Sequence, residues 1–152
     1  MPQTKYIGWV PQPDTIKRIG RIHTLLYRAT FGIIGQRMDG LDVLLLTTIG
    51  KQSGRARCVP LPYFRDRDRY LLVASFGGNP KNPAWLANIA AEPRVRVQLG
   101  ARRWEAHASI AQADERERLW RDITTEYPRY ANYQTKTARA IPVVVLARAD
   151  SR

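Results

Sequence analysis

Leu44-Leu-Leu-Thr-Thr-Ile-Gly-Lys-Gln-Ser-Gly-Arg-Ala-Arg57, followed by Pro60-Leu-Pro-Tyr63, is the stretch that decides the fold. Val43 to Thr48 is aliphatic and β-branched, as a strand requires. Gly50 to Gly54 breaks it, and Ala56 to Arg65 returns as a second strand, so the glycine-bounded segment reads as a hairpin connection. Lys51, Arg55 and Arg57 make that connection basic.

Working outward, Asp66-Arg67-Asp68 is a polar turn and Tyr70 to Ser75 a third strand. Phe76 to Asn82 holds Gly77, Gly78 and Pro80 and reads as a loop. Pro83 suits the first turn of a helix running to about Ala91, with Asn82 as its cap, and Pro93 ends it. Val95 to Leu99 and Arg103 to Ile110 form a hairpin about Gly100. Asp114 to Tyr127 is a charged helix with apolar positions at Leu119, Trp120 and Ile123, interrupted by Pro128. Ile141 to Ala147 is an apolar strand expected to be buried on both faces. About six strands in antiparallel hairpins with helices between them predict an α+β fold, a small barrel with peripheral helices.

The N-terminal region reads differently. Pro2, Pro11 and Pro13 make residues 1–13 an irregular arm, after which Asp14 or Thr15 can cap a helix starting near Ile16. Ile16, Ile19, Ile22 and Leu26 recur at helical spacing with Leu25 beside them, and the pattern extends towards Phe31, Ile33 and Ile34. Lys17, Arg18, Arg21 and Arg28 occupy other positions. This basic amphipathic helix can pack its stripe on the domain core or lie on an anionic membrane surface. The expected organisation is an arm and helix over residues 1–36 and a barrel domain over 37–152.

The chain has 152 residues, enough for one domain with one core, and a net charge of +12. The charge is spread along the chain and points to an anionic partner: nucleic acid, acidic lipid or a phosphorylated small molecule. There is no recognition helix or RNA-binding motif, so a nucleic-acid partner is not expected. The single cysteine, Cys58, excludes an intramolecular disulfide and fits a reducing compartment. His23 and His107 stand far apart without carboxylate or thiol neighbours at ligand spacing, so no metal site is expected. No signal peptide or membrane-spanning run is visible. The expected location is cytoplasmic, with peripheral attachment at the inner face of the membrane if the helix lies on lipid.

Four motifs carry chemistry. Gly50-Lys51-Gln52-Ser53-Gly54-Arg55 lacks the spacing of a P-loop, but its amides, Ser53 and the cations Lys51, Arg55 and Arg57 can grip a phosphate. An ordinary solvated hairpin is the competing reading. Ser75-Phe76-Gly77-Gly78 leaves the end of a strand, where paired glycines let a ligand approach the backbone, or simply make a turn. Ser75 has no hydrolase nucleophile context. Trp85 and Asn88 share one helix face, and Trp85 can stack on a flat ring or fill the core. Tyr127, Tyr130 and Tyr133 recur every three residues. At helical spacing they form one aromatic wall, either packing on the barrel or lining a substrate pocket with phenols that donate a proton.

Together these motifs resemble the deazaflavin-dependent nitroreductase family, the F420-dependent oxidoreductases built on a split β-barrel. The likeness runs from about Leu41 to Leu146. It rests on Thr47-Thr-Ile-Gly-Lys-Gln-Ser-Gly-Arg-Ala-Arg57, Pro60-Leu61, Ala74-Ser75-x-Gly77-Gly78, Asn82-Pro83-x-Trp85-x-x-Asn88, Pro93, Tyr127-Pro-x-Tyr130-x-x-Tyr133 and Ile141-Pro142-Val-Val-Val145, in that order. The resemblance implies that Arg57, Lys51 and Ser53, with Gln52 and Arg55 beside them, hold the phosphate and acidic tail of coenzyme F420 (8-hydroxy-5-deazaflavin). It implies that Pro60, Ser75, Phe76, Gly77 and Gly78 border the ring, with Trp85 and Asn88 nearby. Tyr127, Tyr130 and Tyr133 would form the substrate side, with Ser75 and Tyr130 orienting or protonating the acceptor, a quinone or nitroaromatic. The family usually has a basic residue where Gln52 stands and often Lys where Phe76 stands.

The implied function is hydride transfer from reduced deazaflavin to an electron-poor acceptor, by a monomer or homodimer. Such chemistry needs neither a protein nucleophile nor a metal, since the protein supplies placement and electrostatics. The alternative is a non-catalytic binder of flavin, tetrapyrrole or lipid on the same barrel.

Overall fold

The computed structural model describes residues 13–149. The arm expected over residues 1–13 therefore lies outside the described residues except for Pro13, which opens a helix. The elements in chain order are α1 (Pro13–Ala29), β1 (Arg37–Met38), β2 (Leu41–Ile49), β3 (Ala56–Pro62), β4 (Phe64–Asp66), β5 (Arg69–Val73), α2 (Ala84–Ala91), β6 (Arg94–Leu99), β7 (Arg102–Ile110), α3 (Ala113–Glu126), α4 (Arg129–Thr135) and β8 (Val143–Arg148).

The strands form one antiparallel sheet in the order β1-β2-β6-β7-β8-β5-β4, with β3 pairing the other side of β2. The sheet curls into a split β-barrel flanked by helices. The eight strands exceed the expected six because β1 and β4 are short and because the run from Ala56 to Arg65 changes partner. β3 pairs β2, whereas β4 pairs β5. Pro60 and Pro62 cannot donate to a ladder, which suits β3 to its place at a sheet edge.

Alternation along the strands builds two apolar layers. Leu44, Leu46, Leu72, Val95, Val97, Ala106, Val144 and Leu146 pack in one cluster with Trp85, Leu86 and Ile89 of α2. Leu71, Val143 and Val145 point to the opposite face and meet Leu119, Ile123 and Tyr130 of α3 and α4. β8 is thus buried on both faces, as its unbroken aliphatic run predicts.

Two helix starts differ from expectation. Asp14 and Thr15 lie inside the first turn of α1 rather than capping it, because the helix already begins at Pro13. Pro83 occupies the cap position of α2 with extended ψ (149°), and Asn82 precedes it. Proline has no N–H to lose there.

α1 departs most from its pattern. It stops at Ala29, and Phe31 turns into the left-handed region (φ 50°), so the helix does not continue through Ile34. Its buried side is not the aliphatic stripe but Thr24 and Tyr27, with Ile16, Gly20 and His23 half-buried alongside. The Tyr27 hydroxyl donates to Val43 O (3.2 Å) and accepts from Gly100 N–H (2.7 Å), tying α1 to β2 and to the β6–β7 turn. His23 Nε2–H donates to Gly35 O at 2.7 Å. Ile19, Ile22, Leu25, Leu26, Phe31, Ile33 and Ile34 all face outward, Leu25 at 68% and Ile33 at 84% exposure.

Candidate active site

The hairpin tip between β2 and β3 is closed by its own backbone. Gly50 N–H donates to Arg55 O and Gly54 N–H to Gly50 O, both at 2.8 Å. The Ser53 hydroxyl accepts from Arg55 N–H (3.2 Å) and fills the concave side of the turn. A Cβ on Gly50 would lie 2.5 Å from Ser53 Oγ, so any other residue there would displace the Ser53 hydroxyl.

One side chain holds the tip from outside. Asn88, buried on α2, accepts from Lys51 N–H through Oδ1 (2.9 Å) and donates through Nδ2 to Thr48 Oγ1 (3.0 Å). Lys51, Gln52, Ser53, Arg55 and Arg57 are exposed. Among the described residues, the N–H groups of Gln52 and Ser53 have no hydrogen-bond partner. Nor do Lys51, Arg55 and Arg57 meet a carboxylate within ion-pair distance. The tip therefore presents open donors and unneutralised cations, the donor set that a phosphate or carboxylate tail requires. The expected tail-binding residues fit an anionic group.

The second expected cluster is a left-handed turn. Phe76, Gly77 and Gly78 have φ of 46°, 63° and 81° in succession, following an α-region Ser75 (φ −72°, ψ −38°). Gly78 N–H returns to Ser75 O (2.9 Å) and Asn79 N–H to Phe76 O (3.1 Å). A Cβ on Gly78 would lie 2.8 Å from Tyr133 O, so the turn is pressed against α4. The N–H groups of Ser75, Phe76 and Gly77 have no partner among the described residues. A right-handed residue followed by a left-handed one makes successive N–H groups converge into an oxygen-binding concavity.

Arg139, not foreseen from sequence, closes this turn from behind. Its guanidinium donates to Ala74 O (3.1 Å), Ser75 O (2.8 Å) and Asn79 O (2.9 Å). Desolvation lowers its pKa from the ordinary arginine value. Gln134 shapes the segment that carries it, donating to Arg139 O (2.7 Å) and accepting from Ile141 N–H (2.9 Å). Thr48 and Gln134 were missed as well. Both are polar residues within ordinary-looking elements, and only their partners, 40 and 7 residues away, reveal their roles.

The remaining expected residues divide. Trp85 lies in the barrel core with Leu44 and Leu86, so of the two readings left open for it the core-filling one describes its place. Pro60, half-buried in β3, sits where α1 crosses, 3.9 Å from a Cβ built on Gly20. Tyr127, Tyr130 and Tyr133 do not share one helix. Tyr127 is the C-cap of α3, whereas Tyr130 and Tyr133 belong to α4. They still cluster, because Phe64 lies 5.0 Å from Tyr127 and 5.3 Å from Tyr130 between ring centroids, and Tyr130 lies 5.5 Å from Tyr133. Tyr130 is 5% exposed, and burial raises its phenol well above the usual tyrosine pKa. A cleft of about 470 Å³ lined by Glu92, Arg94, His107 and Arg148 lies elsewhere and contains none of these residues.

The family model described as F420H(2)-dependent quinone reductase matches residues 19–148. An F420H(2)-dependent quinone reductase of Mycobacterium tuberculosis is 42% identical over 132 residues, spanning 84% of this chain and 89% of the relative. The solved structure of an F420-H2 dependent reductase, FDR-A, is 43% identical with a TM-score of 0.62, covering 68% of this chain and 92% of that one. A further structure, a domain-swapped dimer, is 37% identical with a TM-score of 0.65, covering 89% and 99%. The chain belongs to the F420H(2)-dependent quinone reductase family and is a deazaflavin-dependent reductase.

Proposed function

We propose that the chain passes a hydride from reduced F420 to a quinone, with nitroaromatics as further acceptors. The observation that carries this reading is the hairpin tip, where among the described residues the N–H groups of Gln52 and Ser53 are open and the cations Lys51, Arg55 and Arg57 are unpaired, with Asn88 of α2 bonding the Lys51 N–H. When bound, the reduced deazaflavin would supply the hydride. Lys51, Arg55 and Arg57 bind the anionic tail, and Ser53 N–H and Gln52 N–H add directed hydrogen bonds. The Ser75–Gly78 turn offers the N–H groups of Ser75, Phe76 and Gly77 to ring oxygens. Tyr130 donates the proton that the reduced acceptor needs, with Tyr127, Tyr133 and Ser75 orienting the acceptor, and Phe76 supplies apolar contact. Trp85, although in the core, braces the helix that positions Asn88.

A second element supports delivery of a membrane-dissolved acceptor. At ~100° per residue, α1 carries three stripes roughly 120° apart. One docks on the barrel through Gly20, Thr24 and Tyr27. One is aliphatic and exposed, and one is cationic through Lys17, Arg18, Arg21 and Arg28. No helix among the described residues is long and apolar enough to cross a membrane. Exposed aliphatic and cationic stripes side by side suit a helix lying in an anionic lipid interface.

The test is F420H2 oxidation followed by loss of the reduced cofactor, with menaquinone analogues and nitroaromatics compared. Acceptor-dependent turnover is expected, with quinones favoured when offered in anionic vesicles. Co-purification of a flavin, tetrapyrrole or lipid with no turnover on any acceptor would instead support the non-catalytic alternative.

A further inference from the structure

We propose that Arg139 is the positioning residue of the ring-binding turn: by holding the carbonyls of Ala74, Ser75 and Asn79, it aims the N–H groups of Ser75 and Phe76 at an oxygen of the bound deazaflavin or its acceptor. The proposal rests on the deazaflavin reading of this site.

The geometry follows from the peptide bond. In a trans peptide the C=O and the following N–H point in opposite directions. Arg139 binds Ala74 O and Ser75 O, which belong to the peptides that supply the N–H groups of Ser75 and Phe76. Those two N–H groups therefore point away from the guanidinium, and neither has a partner among the described residues. The third bond, to Asn79 O, closes the far end of the turn. Held at both ends, the chain keeps a left-handed Phe76, which costs a non-glycine residue free energy and needs its surroundings to enforce it.

Two further features distinguish this arginine from a general structural one. It makes no ion pair among the described residues, so its positive charge stands uncompensated behind the turn. Oriented N–H donors backed by a fixed cation stabilise negative charge that develops on an oxygen during reduction. Arg139 also follows α4 directly, through the segment that Gln134 folds, and the turn presses against Tyr133 O. It therefore fixes the spacing between the ring side and the tyrosine side of the site.

Arg139→Met and Arg139→Lys test this with three readouts: backbone hydrogen exchange of the ligand-free protein, F420 titration, and steady-state kinetics. Lysine keeps the charge but loses the planar fork. Both variants are expected to fold and to exchange faster only at the bonded amides of this stretch, Ala74, Gly78 and Asn79, and at residues 136–141. F420 should bind about tenfold more weakly, and kcat should fall on the order of a hundredfold in Arg139→Met and less in Arg139→Lys. Unchanged exchange at residues 74–79 would overturn the proposal, as would unchanged affinity and kcat. Global loss of protection in both variants would also overturn it, by making Arg139 a residue of the fold at large. If wild-type protein fails to bind F420, the deazaflavin reading fails. The exchange pattern would still report whether Arg139 clamps the turn.

Discussion

The Lys51 backbone N–H donates to Oδ1 of Asn88 across 37 residues of chain at 2.9 Å, and the Asn88 amide donates onward to Thr48 Oγ1 at 3.0 Å. One buried amide thus registers the helix after the Gly-Gly turn against the tip proposed to hold the cofactor tail. A hydrogen-bonded buried amide rigidifies what it joins, and its removal leaves its partners unmet.

Asn88→Ala should therefore cost about 1–3 kcal/mol of stability by orphaning the Lys51 N–H and Thr48 Oγ1. It should also weaken F420 binding about tenfold without touching the ligand. Denaturant unfolding and fluorescence titration check both. Asn88→Asp keeps the acceptor for Lys51 and loses the donor to Thr48, so its affinity should lie between the two.

With both residues on the proposed tail site, Arg57→Ala and Lys51→Ala should weaken F420 binding while leaving kcat at saturating cofactor nearly unchanged. Their contribution should shrink as salt rises, since exposed charges are screened within about 10 Å at 0.1 M ionic strength. Titrations at two salt concentrations measure this, and salt-independent losses would place both residues outside the tail site.

Tyr130→Phe retains the ring packed against Phe64 and Tyr133 and removes only the hydroxyl. Stability should change little, cofactor affinity should hold, and turnover should fall by about 10²-fold, the scale of a lost general acid. Steady-state kinetics with one quinone decide it. An unchanged kcat would assign the proton to another donor.

Asp66 lies at the end of β4. Arg69 and Arg118 both bond its carboxylate, and those hydrogen bonds hold its pKa well below the usual aspartate value. A depressed folded-state pKa contributes stability that is fully present above the unfolded aspartate pKa of about 4 and is lost as pH falls below it. Wild type should lose stability across that acidic window. Asp66→Asn should be less stable at neutral pH and show a shallower loss on acidification, as thermal unfolding at several pH values would reveal.

Leu25→Glu together with Ile22→Glu alters side chains that touch no core, so folding and F420 affinity should persist. Sedimentation with anionic vesicles should fall to the level of neutral vesicles. Equal sedimentation of variant and wild type would show that α1 does not lie on lipid.

Strand positions, the hairpin tip and the Ser75–Gly78 loop were legible because glycine spacing and β-branched runs are local signals. The tyrosine wall was legible in composition but not in architecture, since Pro128 splits it between two helices that tertiary packing on Phe64 reunites. α1 was misleading for a related reason. Periodicity reveals an aliphatic stripe but not which stripe docks, and here Gly20 allows close approach while Tyr27 reaches two backbone partners, so the smaller face goes inward. Arg139 gave no signal at all. Its role depends on carbonyls about 60 residues earlier, brought near by the β5–β8 pairing of Val73 with Val143.

The most direct test is equilibrium titration of the purified chain with F420, followed by fluorescence quenching at low and physiological salt. Saturable binding at micromolar or lower concentration, weakened by salt and by Arg57→Ala, is the predicted result. Absence of binding at both salt concentrations would contradict the account, leaving the open N–H groups and unpaired cations of the hairpin tip without the ligand assigned to them.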